Sequence, residues 1–382
     1  MDCIYGKEIK NMKKNNIRTM MLSVMLLSLA SCDNAATYNG GEVKKGRAIT
    51  VQEAKEVMDE AASSMQNEDA LSLSMKNASY HSSYEIEKNI PLGKEHTINL
   101  KADGDTSLKN LTFEAAMKGL TSDKKEDVKA SLTGSADIDI HGKTSGKGVE
   151  NSYQTPKGKA SLNFYVDGTM NYLDLSDNNL QSVISTTTKN NIFDKEFTSQ
   201  WTGMKKVAFD NGLEDDDMPL LTKESINHLT YKVSQKIEDI ASKGGTIKAL
   251  EHDDGTYSYS VSAKDLEDAS SFKDEIPDDV EDSLEDGIDE GFTPDIESNI
   301  NVNEYSIAFV FDKTGIRSIG ATIDIDASYS MKFTTMGATF TSDAKYTYAV
   351  NFRLDFASKD NVTVKEVTDK DTYSVLTDDF DF

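Results

Sequence analysis

Cysteine is almost absent from this 382-residue chain: Cys3 and Cys32 are the only two, too few for a disulfide framework or a thiolate metal site. Arginine is nearly as scarce, with Arg18, Arg47, Arg317 and Arg353 alone, so a bidentate clamp for phosphate or carboxylate ligands is not expected. A single tryptophan, Trp201, leaves little indole surface on which sugars could stack, and five prolines exclude a proline-rich linker protein. Apolar runs are short, and none reaches the roughly 20 residues that a membrane-spanning helix needs. His81, His96, His141, His228 and His252 show no metal-ligand spacing, so each reads as a surface or hydrogen-bonding residue. There is no Gly-x-Ser-x-Gly elbow and no phosphate-cradling glycine loop. No catalytic residue, metal site or cofactor is predicted, and the expectation is a protein that is not an enzyme.

Positive charge is in short supply too. Forty-one Lys and Arg face 66 Asp and Glu, a formal net charge of −25. Such a chain repels phosphate backbones and anionic headgroups, so nucleic acid is not an expected partner and the body itself is not expected to lie on a membrane. The charge reads first as a solvated coat that keeps the protein soluble.

The chain does carry an export signal. Lys13, Lys14 and Arg18 precede an apolar stretch that ends in Leu29-Ala30-Ser31-Cys32, which is the basic, apolar, small-residue order of a leader. Met12 reads as the natural start, and residues 1–11 as functionless. The last four residues resemble the bacterial lipobox, which implies cleavage before Cys32 and acylation of its thiol. The expectation is therefore a signal peptide at 1–31, a lipidated polar tether at 32–49, and a body anchored to a membrane on its extracytoplasmic side in the cell envelope.

Along the body, Thr50-Val51-Gln52-Glu53 matches a capping box, and Val51, Ala54, Met58, Ala61 and Met65 follow at helical spacing. From Leu71 the period changes to two. Val128, Ala130 and Leu132, then Ala136, Ile138 and Ile140, then Leu162, Phe164 and Val166 mark half-buried antiparallel strands, with Asp167-Gly168 as a hairpin turn. Residues 177–217 lose the pattern and read as short helices and loops. Thr222 then caps a helix bearing Ile226, Leu229, Val233, Ile237 and Ile240, closed by Gly244-Gly245. "TIKALE" and "TYSYSVSA" form a hairpin across Asp253-Asp254-Gly255. Between Asp278 and Glu290, Val280, Leu284, Ile288 and Phe292 give an acidic helix with a thin apolar stripe, either a solvated lid or a weak cation site. "LDLSDNN" reads as turn chemistry. The last third is a meander: Tyr305 to Phe311, Ile319 to Ile325 and Tyr346 to Leu354 alternate on three neighbouring strands.

The lipobox, the "ITVQEAKEVMDEA" helix, the "FYVDGTMNYLDLSD" hairpin and the "FVFDKTGIRSIGATIDI" meander together resemble the lipoprotein-carrier-like (LolA-like) half-barrel family. The resemblance implies an α+β, mainly antiparallel fold at 50–382, a curved half-barrel sheet covered on its concave face by helices, with a helical and acidic insert at about 177–294. It implies a non-enzymatic protein that carries a lipid or other hydrophobic ligand. The alternating positions Phe164, Val166, Ile307, Phe309, Ile323, Val350 and Phe352 are the candidates for the pocket wall. A surface interaction or adhesion module, using a sheet edge or the acidic face, and a carboxylate-dependent hydrolase are the alternatives; a packed interior with a salt-sensitive cationic partner favours the module.

Overall fold

The computed structural model describes residues 46–65, 68–91, 97–146, 149–189, 203–213, 218–267, 269–275, 295–335, 338–357 and 362–376. Helix α1 (Val51–Met65) opens with the expected capping box: the Glu53 amide donates to Thr50 Oγ1 at 3.1 Å, and the Thr50 amide donates to Glu53 Oε2 at 2.7 Å. That reciprocal pair satisfies two of the amides a helix start leaves orphaned. Ala54, Met58, Ala61 and Met65 are buried along one face. A second helix, α2 (Asn178–Lys189), starts at Asp177, whose Oδ1 accepts from the Leu180 amide at 2.8 Å. Helix α3 (Lys223–Ser242) buries Ile226, Leu229, Val233, Ile237 and Ile240. It stops where Gly244 takes a left-handed φ of +108° and the Gly245 amide donates to the Ile240 carbonyl at 2.9 Å, the closure that spares a side chain the left-handed region.

Among the described residues, fourteen strands form one sheet. In chain order they are β1 (Gly46–Ala48), β2 (Ala70–Pro91), β3 (Thr97–Lys118), β4 (Lys129–Gly146), β5 (Val149–Gln154), β6 (Gly158–Asp167), β7 (Met170–Asp174), β8 (Lys206–Asp210), β9 (Thr246–His252), β10 (Tyr257–Leu266), β11 (Asp295–Asp312), β12 (Gly315–Thr335), β13 (Ala338–Ala357) and β14 (Ser374–Val375). The order across the sheet is β1-β9-β10-β11-β12-β13-β2-β3-β4-β6-β7-β8-β14, with β5 paired to β4. All pairings are antiparallel except β14 on β8. The two strands at the ends of this path are stubs of three and two residues.

The expected α+β half-barrel under a helical roof is corrected by this arrangement, and with it the resemblance to the lipoprotein-carrier-like family. The sheet is open, and only three α-helices stand against fourteen strands among the described residues. A helix is about 10 Å wide and strands are about 4.8 Å apart, so one helix covers roughly two strands. Accordingly α1 and α3 pack on each other and on β9–β12, while α2 lies against β6. The exposed Lys55–Glu238 ion pair bridges α1 and α3. Connecting residues Leu120, Leu213, Leu220 and Leu221 add to the same core. Residues 177–294, expected to be an insert, supply β8, β9 and β10 to the sheet, and the end of the expected tether supplies β1. Trp201, the acid run at 214–217 and the expected acidic helix at 278–290 lie outside the described residues.

The C-terminal segment, 362–376, crosses the face opposite the core. The Lys365 amide donates to Ser131 Oγ at 3.0 Å, and Ser131 sits between the core residues Ala130 and Leu132, hence on the other face. Val367 and Tyr373 close a second small apolar cluster with Tyr172 and Ala208. The Tyr172 and Tyr373 rings meet edge to face at 5.3 Å, and burial pushes the Tyr373 phenol up to about 12. Lys370 hydrogen-bonds Asp167, and this bond is the main reason that carboxyl sits below its usual range despite partial burial. Because the folded pKa is the lower one, the tie contributes fully above the unfolded value of about 3.9 and is lost as pH falls through the folded value. Amide exchange over 365–375, corrected for its intrinsic pH dependence, should therefore quicken below about pH 4, and Asp167→Asn should show the fast rates at neutral pH.

Candidate functional site

Five adjacent strands each contribute three consecutive residues to a hollow of about 860 Å³: Glu85-Ile86-Glu87 on β2, Lys101-Ala102-Asp103 on β3, Glu297-Ser298-Asn299 on β11, Ser328-Tyr329-Ser330 on β12 and Asp343-Ala344-Lys345 on β13. On a strand the first and third residues of a triplet share a face and the middle one turns away. The outer residues of each triplet are thus the walls, and the backbone of the middle residue is the floor. Tyr329 and Ala344 bear this out, being 4 % and 1 % exposed with their side chains in the apolar core. The trough therefore opens on the polar face, away from α1 and α3.

Register sets the wall chemistry. One row reads Glu297, Ser330, Asp343, Glu87, Lys101, and the next reads Asn299, Ser328, Lys345, Glu85, Asp103. Asp343 thus stands directly opposite Glu87, and Glu85 directly opposite Asp103. Lys101 Nζ meets Glu87 Oε2 at 2.7 Å, and Ser330 Oγ donates to Asp343 Oδ1 at 2.7 Å. Lys143 on β4 lies opposite Asp103 but reaches Glu150 at 2.5 Å, and that bond raises the lysine pKa and lowers the carboxyl pKa. Five carboxylates thus line the trough against two ammoniums, with two hydroxyls and an amide between them. These carboxylates stand side by side on one surface. No group of three metal-ligating side chains occurs among the described residues.

The structure places the seven expected pocket-wall residues on the core side of the sheet. Val166, Ile307, Phe309, Ile323 and Phe352 are buried within the main core, and Phe164 and Val350 pack against it partly buried. None lines the trough or a second hollow of about 600 Å³ beside β8 and β14. Cys32 lies outside the described residues. His252 is buried and its Nε2 is 2.9 Å from Ser258 Oγ, while His81 and His141 lie 3.5 and 3.6 Å from Asp105 and Asp139. The trough residues escaped sequence reasoning because "EIE", "KAD", "ESN", "SYS" and "DAK" each look like the solvated side of a strand. Only the pairing of strands distant in sequence aligns them.

No family model and no curated protein matches the chain. Among solved structures it is similar to the outer membrane protein OprG from Pseudomonas aeruginosa, at 7% identity over 77% of this chain and 99% of that one, with a TM-score of 0.18. It is also similar to the secretin-domain β-barrel of InvG from the Salmonella SPI-1 injectisome, at 9% identity and a TM-score of 0.14, over 79% of this chain and 65% of that one, just under two thirds of its length. Likenesses of this size assign neither fold nor function to the chain.

Proposed function

We propose that the protein is a lipid-anchored component of a bacterial cell envelope, held through Cys32, that acts without catalysis as a surface interaction module and binds a cationic, hydrogen-bonding partner in the trough. The observation that carries this reading is the register. Two pairs of acids stand directly opposite one another on neighbouring strands, a placement that costs up to about 1 kcal/mol per pair. A partner carrying ammonium or guanidinium groups offsets that cost, and a concave wall of one predominant sign concentrates the field that attracts it. The alternative of an apolar cargo has less support, since its expected wall residues pack in or against the core.

The test uses the full extracytoplasmic chain and a labelled tetralysine peptide, followed by fluorescence anisotropy. Saturable binding that weakens as salt rises is expected, with Glu85→Lys reducing affinity about tenfold or more, since one wall charge is reversed at close range. Unchanged affinity in Glu85→Lys sinks the trough as the site. Saturable uptake of a fluorescent fatty acid with no peptide binding restores the apolar-cargo reading instead.

A further inference from the structure

The second hollow has the opposite character. It lies where the turn before β8 meets the C-terminal segment, and its polar lining consists of Lys205, Lys206, Ser176, Thr372 and Ser374, with no carboxylate among the nine residues around it. In a chain with 66 acids against 41 bases, a cavity lined by two lysines and three hydroxyls is a local reversal of sign. Its volume of about 600 Å³ exceeds what a bare ion fills.

Lys206 is already aimed. Its Nζ lies 3.4 Å from Thr372 Oγ1 and 5.2 Å from the centre of the Tyr373 ring. Among the described residues the nearest carboxylate, Asp174, stands at 3.9 Å, an ion-pair distance beyond hydrogen-bonding reach. An ammonium has three N–H groups, so these contacts leave room for a ligand oxygen. The turn that forms one wall is pinned before any ligand arrives. Gln181 on α2 donates to the carbonyls of Leu175 and Met204 at 3.1 and 2.6 Å and accepts from the Gly203 amide at 3.2 Å. Gly203 holds a left-handed φ of +83°, and nothing stands within 4 Å of where its side chain would be, which keeps the approach open. Pre-organised walls of this kind spare a ligand the entropy of ordering them.

We propose that this hollow binds a small organic oxyanion, a carboxylate or phosphate ester, with Lys206 and Lys205 supplying the charge and the hydroxyls of Thr372 and Ser374 supplying hydrogen bonds. Because Thr372 precedes β14 and Lys206 opens β8, the bound anion also bridges the two chain segments beside the β14–β8 pairing.

Calorimetric titration of the full extracytoplasmic chain with glycerol 3-phosphate and with citrate, each at fixed ionic strength made up with chloride, tests this. Saturable binding of one or both is expected, and the stronger of the two identifies the anion type. Lys206→Met should weaken it at least about tenfold, the loss of one charge-assisted hydrogen bond. Lys205→Met, whose side chain takes no part in holding Tyr373, should weaken it as well, and it guards against misreading a folding defect of the first variant. Heats no larger than those of chloride alone, or affinities equal in all three proteins, overturn the proposal. Unaltered tetralysine binding in Lys205→Met would show that the trough and this hollow are separate sites.

Discussion

Phe309→Ala is expected to lower the unfolding free energy by about 3–5 kcal/mol, the range for deleting a buried phenyl ring and leaving the space it filled. Phe309 is fully buried on β11, opposite Tyr259 of β10 and Ile319 of β12, with its ring 5.4 Å from that of Phe311. Strands on both sides fix the backbone, so the surroundings cannot collapse into the gap. Urea unfolding should show a lower midpoint with an unchanged slope. Tyr231→Ala, at a residue 56 % exposed on α3, should stay within about 0.5 kcal/mol of the parent. The result also bears on function. A loss below about 1 kcal/mol would mean that Phe309 borders open space, as a ligand-pocket wall does, and would revive the apolar-cargo reading.

The second large effect is expected at Cys32. Replacing it with alanine should abolish incorporation of labelled fatty acid, since the thiol is the only one left after cleavage at the lipobox. Each buried methylene contributes about 0.8 kcal/mol to membrane attachment, and stable anchoring takes more than one acyl chain. Among the described residues, no helix is long and apolar enough to cross a membrane in its place. The first 31 residues hold five basic and two acidic side chains, so the body beyond them is more negative than the −25 of the whole, and it is repelled by anionic headgroups. Chain beginning at residue 33 should accordingly remain in the supernatant when mixed with anionic vesicles at 0.15 M salt. Label on the alanine variant, or sedimentation of the truncated chain with vesicles, would remove the anchor from the account.

Local structure was legible where one short stretch carried all the chemistry. The Thr50–Glu53 box, the apolar stripe from Ile226 to Ile240 with its glycine stop, and the turns at Asp167-Gly168 and Gly255 depend on neighbours within a few residues, and each forms as read. The alternation in β11, β12 and β13 likewise identified the core face. What stayed hidden depends on pairs far apart in the chain. The expected roof failed because periodicity tells which face of a helix is buried but not how many strands that helix can reach. Strand β8, only five residues long and set in a polar region, gave too little alternation to register. The trough arises from contacts such as Glu87 with Asp343 across more than 250 residues, and each segment alone looked like ordinary solvated strand.

On the proposed anchoring through Cys32, the stub strands at the two ends of the sheet matter for life on a crowded surface. Proteins fixed by lipid share two dimensions and meet often, and a long bare strand margin invites one copy to continue into the next. At those two ends a neighbour would meet Gly46–Ala48, with Arg47 and Glu251 locked together beside it, or Ser374–Val375. So few exposed amides and carbonyls give an incoming strand little to grip at the two ends of the strand order, and fibre growth from there is discouraged.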